Sequence, residues 1–214
     1  MPRGPSSAHS LQRETILNIS ADTFAEAGYP SATMAELAAR CGVSKSLLYH
    51  YYPAKDAILF DLMHEYMTRL QHLVHEVARL TLPAQEGLAE LVRRFVREYE
   101  TSRSRHIVLL NDVKFLPPRE REQVIALERS VVQAFADVIA VTYKIDGARA
   151  KVLTMSVFGM INWTFTWLKP DGPLSYGEFA ESVVGMLESG LAGGAQRIGQ
   201  IAVVAPKLAA TEIY

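Results

Sequence analysis

The chain has a single cysteine in 214 residues, no excess of either charge and no long apolar run. Each shortage removes a class of protein. Cys41 cannot form a disulfide within the chain, and it reads as a small buried apolar residue. Lys and Arg number 22 against 23 Asp and Glu, which is not the strongly basic balance of an indiscriminate nucleic-acid binder. No apolar run approaches the roughly 20 residues that span a bilayer. The opening MPRGPSSAHS lacks the apolar core of a signal peptide. We therefore expect a cytoplasmic protein with no membrane partner. Strand-period alternation and internal repeats are missing, and so are the G-x-S-x-G elbow, the phosphate-binding glycine loop, the dinucleotide fingerprint and H-E-x-x-H. We expect no catalytic residue, no cofactor and no metal site.

Thr33 to Lys55, TMAELAARCGVSKSLLYHYYPAK, carries the most information. Thr33 and Glu36 have capping-box spacing, so a helix should start at Met34. Leu37 and Cys41 continue its inner face, and Ala38 allows a second helix to cross closely. Gly42 supplies a tight turn because it takes positive φ without steric cost. Val43 packs under the turn and Ser44 caps the next helix. Leu48 and Tyr51 anchor that helix, leaving Ser44, Lys45, Ser46, Leu47, Tyr49 and His50 on a face suited to a groove. Upstream, Leu11 to Gly28 is an amphipathic helix with Ile16, Leu17, Ala21, Phe24 and Ala25 as its stripe. Downstream, Pro53 opens a further helix whose N-terminus, with Lys55, favours an anion. Residues 1–60 balance five basic side chains (Arg3, Arg13, Arg40, Lys45, Lys55) against five acidic ones (Glu14, Asp22, Glu26, Glu36, Asp56), so placement of cations must matter more than their sum.

The rest reads as helix. The expected spans are Asp56 to about Leu80, Ala84 to Thr101, Arg105 to Leu116, Arg119 to about Tyr143, Gly147 to Leu168, and Ser175 or Tyr176 to Leu191, closed by Gly193-Gly194. The segment Phe158 to Trp167 is apolar all round and should be buried on every side. Asn162 within it needs a polar partner. His72 and His75 lie three residues apart beside Glu76, whereas His64 is about 12 Å away along the helix. The alternatives to a DNA-binding protein are a metal-binding or enzymatic helical protein using His72, His75 and Glu76, and a helical ligand-binding protein without DNA-binding function.

The run from Arg13 through Leu59 resembles the DNA-binding domain of the TetR family of bacterial transcriptional repressors. The resemblance rests on Ile16, Leu17, Ala21, Phe24, Glu26-Ala27-Gly28-Tyr29, Thr33-Met34, Leu37-Ala38, Gly42-Val43-Ser44, Leu48-Tyr49, Pro53 and Lys55. Ser46, Leu47 and Tyr51-Tyr52 depart from the family's usual residues, and Leu47 can touch a thymine methyl but cannot hydrogen-bond a base. The resemblance implies an all-α fold of about nine helices. Residues 1–55 would form a three-helix DNA-binding domain, residues 56–193 an effector-binding and dimerisation domain, and residues 194–214 a C-terminal tail. It implies a homodimeric repressor on a near-palindromic double-stranded operator. Thr33, Ser44, Tyr49, Tyr51 and Lys55 would hold phosphates, and Lys45, Ser46, Leu47 and His50 would lie nearest the bases.

FGMINWTFTWLKPDGPLS also resembles a subset of that family whose members control fatty-acid or aromatic-acid breakdown and respond to acyl-CoA thioesters. This implies a small apolar effector, an acyl-CoA among the candidates, held by Arg105, Phe115, Met155, Phe158, Asn162, Trp163 and Trp167. Arg93, Arg94, Arg97 and Arg103 are further candidates for its phosphates. The last two helices resemble the family's dimerisation unit, with Ala180, Ser182, Gly185 and Gly190 allowing close approach.

Overall fold

The computed structural model describes residues 7–191, and the expectations for Arg3, for the helix stop at Gly193-Gly194 and for the tail 194–214 lie outside them. The described chain is helical throughout. The helices are α1 (Ser7–Ala27), α2 (Met34–Arg40), α3 (Lys45–Tyr51), α4 (Lys55–Arg79), α5 (Ala84–Thr101), α6 (Arg103–Asp112), α7 (Pro118–Tyr143), α8 (Gly147–Asn162), α9 (Thr164–Trp167) and α10 (Tyr176–Met186). Nine of these exceed one turn, and α9 is a single turn. A 3₁₀ turn, Val113–Phe115, follows α6, and a π turn, Leu187–Leu191, follows α10. No described helix is long and apolar enough to cross a membrane.

The contacts divide the chain into two compact units. One is the described part of Met1–Arg69 with Ser102–Glu128; the other is Leu70–Thr101 with the described part of Arg129–Tyr214. The boundary expected at residue 55 falls inside the first unit, because the opening turns of α4 bury Ile58, Leu59 and Leu62 there.

In the first unit, α1 turns Ile16, Leu17, Ala21 and Phe24 inward, α2 contributes Leu37 and Ala38, and α3 contributes Leu48, all fully or almost fully buried. α6 packs along α1. A shared carboxylate ties these helices: Glu65 on α4 bonds Arg13 from α1 and faces Arg105 Nη1 from α6 at 3.7 Å. Arg13 also reaches Asp61 at 2.7 Å, and Arg105 Nη2 donates to Asn18 Oδ1 at 2.8 Å.

In the second unit, Phe95, Phe135 and Phe158 form an aromatic cluster with centroids 4.9 to 6.2 Å apart. α10 packs on α5 and begins with a complete capping box, Ser175 and Glu178 bonding each other's backbone amides. The segment expected as one helix from Gly147 to Leu168 breaks at Asn162. Ile161 O there accepts from the Trp163 amide and from Thr164 Oγ1 at 2.9 Å, and Trp163 O from the Thr166 amide at 3.1 Å and from Thr166 Oγ1 at 2.7 Å, so the turn tightens below the α-helical spacing. The segment is also not buried on every side, as Trp163 is 61% and Trp167 51% exposed.

Candidate nucleic-acid interface

The geometry of α2 and α3 follows from a few local bonds. Thr33 Oγ1 accepts from the Glu36 amide at 3.2 Å and fixes the start of α2. At its other end, the Val43 amide reaches Ala38 O at 3.0 Å and the Gly42 amide reaches Ala39 O at 3.1 Å. That pair of bonds is a Schellman motif, and Gly42 has the left-handed φ of +66° it requires. Ser44 Oγ then accepts from the Leu47 amide at 3.1 Å and starts α3. Only Cys41 to Ser44 separate the two helices, so the turn dictates the direction of α3. Cys41 is half-buried at the end of α2 rather than inside the core.

Leu48 alone in α3 is fully buried. Lys45, Ser46, Leu47, Tyr49 and His50 are all exposed and share the outer surface of this seven-residue helix. Thr33 and Ser44 are exposed as well, although one acceptor position of each hydroxyl already serves as a cap.

Two expectations on this unit change. The aromatic anchor of α3 is Tyr52 rather than Tyr51. α3 ends at Tyr51, and the extended backbone of Tyr52 (φ −139°, ψ 115°) turns its ring inward. Burial and the nearby Asp61 carboxylate push the Tyr52 phenol well up. Tyr51 is instead half-buried, stacked on His9 at 4.6 Å.

Lys55 also differs from an open phosphate ligand. Its ammonium donates to the carbonyls of Tyr29 at 2.7 Å, Pro30 at 3.3 Å and Ala32 at 2.7 Å, and lies 4.3 Å from the Tyr29 ring centre. α1 ends at Ala27, just before the left-handed Gly28, so these loop carbonyls have no helix amides to accept from, and the lysine supplies the protons. Burial lowers its pKa, opposed by Asp112. Lys55 therefore clamps the loop between α1 and α2 to the start of α4.

Sequence reasoning missed the surroundings of that clamp. Phe115 stacks on Tyr29 at 5.5 Å, and the buried Asp112 lies close enough to Tyr29 and Lys55 to affect both. Burial raises the Asp112 carboxyl, with Lys114, the Tyr29 backbone and Lys55 opposing. Asp112 and Phe115 lie more than 50 residues from Tyr29 and Lys55 in sequence, and neither composition nor periodicity signals such a meeting.

The candidate effector residues fall into both units. In the first, Arg105 is buried and already engaged with Asn18 and Glu65, and Phe115 rests on Tyr29. In the second, Phe158 points into the aromatic cluster and Asn162 Oδ1 accepts from the Tyr99 hydroxyl at 2.9 Å. Met155 and Trp163 of the same segment are 48% and 61% exposed, and Trp167 lies beside Phe179 at 5.3 Å. Arg93 pairs with Glu181 through two bonds, and Arg94 pairs with Glu90 and Glu76. Both arginines are thus neutralised within the chain. Among the described residues no group of three or more His, Cys, Asp or Glu gathers as a metal site, so His72, His75 and Glu76 do not form one.

Comparison with known proteins decides what this arrangement belongs to. Residues 16–62 match the family description "Bacterial regulatory proteins, tetR family", and residues 81–191 match "Tetracyclin repressor-like, C-terminal domain". This chain is a member of the TetR family. Its similar structures include a TetR-family transcriptional regulator from Bordetella parapertussis 12822, 34% identical, covering 81% of this chain and 92% of that one with a TM-score of 0.77. AibR, crystallised with isovaleryl coenzyme A and operator DNA, is 25% identical over 82% of this chain and 97% of its own, with a TM-score of 0.73. The transcriptional activator FasR of Mycolicibacterium smegmatis is 23% identical over 88% of this chain and 87% of its own. TetR-family proteins of this kind are transcriptional regulators and not enzymes, so the enzymatic alternative is set aside.

Proposed function

We propose that this TetR-family regulator binds a near-palindromic operator as a homodimer and responds to a small apolar effector. The observation that carries the DNA reading is the outer face of α3, where five neighbouring side chains stay exposed while the buried Leu48 holds the helix to its partner. In this reading residues 1–55 meet the DNA, while residues 56–193 dimerise and receive the effector. Two copies of α3 enter successive major grooves about 34–36 Å apart. Lys45, Ser46, Leu47 and His50 lie nearest the base edges, and Thr33, Ser44, Tyr49 and Tyr51 set register on phosphates. Lys55 acts through the loop it clamps.

The homodimer reading is supported by the outer face of α8. Val152, Met155 and Trp163 are exposed there at helical spacing, an apolar stripe that a second subunit would cover. The effector reading rests on likeness to AibR, a protein known with isovaleryl coenzyme A bound. An acyl-CoA thioester is the proposed ligand class, with Phe158 and Asn162 lining the acyl end. The effector releases the operator only by preferring a conformation that misfits it; equal affinity for both states shifts nothing.

Fluorescence anisotropy with the protein's own promoter region tests the reading. Binding should weaken with salt by about 0.9 log units per log unit of salt for each phosphate contact, and isovaleryl-CoA should displace the DNA. A flat salt response excludes operator binding of this kind. Release by apolar amines but by no thioester excludes the proposed effector class. Because FasR is named an activator, a promoter fusion is needed to fix the sign of regulation, and repression relieved by the thioester is the expected result.

A further inference from the structure

Leu47 sits where its own helix would gain more from another residue. It is the third residue of α3, and its amide donates to the capping Ser44 Oγ at 3.1 Å. Glu36 and Glu178 hold the same place in α2 and α10, and in α10 the carboxylate returns the bond and completes the capping box. A leucine gives up that second bond. It also leaves an aliphatic side chain 39% exposed among Lys45, Ser46, Tyr49 and His50. The adjacent Leu48 is fully buried and already anchors the helix, so packing does not call for a second leucine. A local choice that forgoes stability in this way points to a gain made outside the chain.

The chemistry of a duplex narrows what that gain is. The first turn of α3 contains no acid, so no carboxylate there meets the phosphates. Lys45, Ser46 and His50 can bond phosphates or base edges, whereas Leu47 can bond neither. In the major groove the one apolar group on a base is the C5-methyl of thymine; the other groups displayed there are donors and acceptors. A leucine pressed on a donor or acceptor strips it of water and returns no bond, which is unfavourable.

We infer that Leu47 makes each operator half-site depend on a C5-methyl pyrimidine. Its side chain closes over the methyl of one thymine. 5-Methylcytosine satisfies the same contact, because its methyl stands on the same ring carbon. The inference rests on the operator reading above and adds the base group that this position recognises. Taking the methyl from thymine then acts like a change of base, although pairing and every hydrogen-bonding group in the groove stay as they were.

Deoxyuridine in place of thymidine tests this by fluorescence anisotropy, on the footprinted segment of the protein's own promoter region. Single replacements across the footprint should find one symmetric pair of positions where uracil weakens binding about fourfold per half-site, the worth of one buried methyl group. At that pair, 5-methylcytosine opposite guanine should bind more tightly than cytosine by a similar factor. Leu47→Ala should bind the thymine and uracil operators equally, with an unaltered urea midpoint because the side chain is exposed. Uracil tolerated at every position, with salt-dependent binding intact, would overturn this inference and leave the operator reading standing. A uracil penalty that survives in Leu47→Ala would assign the methyl to another side chain and overturn it too. Absence of salt-dependent binding to any promoter fragment would remove the operator reading, and this inference with it.

Discussion

α3 and α8 both present an outward face, and the two faces differ in kind. That of α3 is made of Lys45, Ser46, Leu47, Tyr49 and His50, and water can solvate most of it. That of α8 is made of Val152, Met155, Gly159 and Trp163, which water solvates poorly. A polar outer face is legible from residue types alone, since charged and hydroxyl side chains at helical spacing do not enter a core without partners. An apolar outer face is not, because Val, Met and Trp look the same in a sequence whether they meet their own core or another molecule. The difference teaches that residue type reports affinity for water and leaves open which surface removes it.

The comparison is tested most severely at Leu48. Leu48→Ala deletes the one buried contact of α3 and should cost about 2–5 kcal/mol, seen as a lower urea midpoint. DNA binding should fall with it, whereas Tyr49→Ala should leave the midpoint within about 0.5 kcal/mol and weaken DNA binding alone. If both variants unfold equally, α3 does not hold its outer residues apart from its fold. Trp163→Asp probes the other face. It should shift the monomer–dimer equilibrium towards monomer by at least about tenfold in analytical ultracentrifugation, as expected for charge placed in an apolar interface. An unaltered equilibrium would mean the α8 stripe is not covered by a second copy.

Smaller effects sharpen the picture of the turn and the clamp. Lys55→Ala removes charge-assisted bonds to three carbonyls and should cost about 1–3 kcal/mol in thermal or urea unfolding. It should weaken binding to all operators alike, because the loop loosens and no base contact changes. Gly42→Ala meets no atom within 4 Å, so its expected cost of about 1–2 kcal/mol is backbone strain alone. Asp112 gives the smallest effect, and its sign is set by burial. The folded carboxyl holds its proton more tightly than the unfolded one, so its contribution is most favourable at acid pH and declines as pH rises through the shifted value. Asp112→Asn should abolish that decline and slightly raise the melting temperature at pH 7, with no gain at pH 3.

Much of the first unit was legible. The capping threonine, Gly42, Ser44 and Leu48 announce α2 and α3 because each acts on residues within five positions of itself, and the stripe of α1 declares its inner face by period. The outward face of α3 was legible to the same depth, since Lys45, Ser46, Leu47, Tyr49 and His50 are the residues the structure leaves exposed. What was not legible depends on distance along the chain. The three partners of Lys55 lie 23 to 26 residues away and are backbone carbonyls, so no side-chain pattern encodes them. Arg105 looked available to an anion until Asn18, 87 residues earlier, took one of its nitrogens. The break at Asn162 was hidden because no glycine or proline stands there to announce it.

Lys55 grips its loop through atoms that every amino acid carries. Tyr29, Pro30 and Ala32 offer carbonyl oxygens, so for this grip the side chains there can be exchanged freely so long as the chain keeps its path. What cannot be exchanged is the length and the three-way reach of the ammonium. A shorter cation, or a flat one such as guanidinium, would miss at least one oxygen, and the peptide between two helices would lose its tether without any change in its own composition.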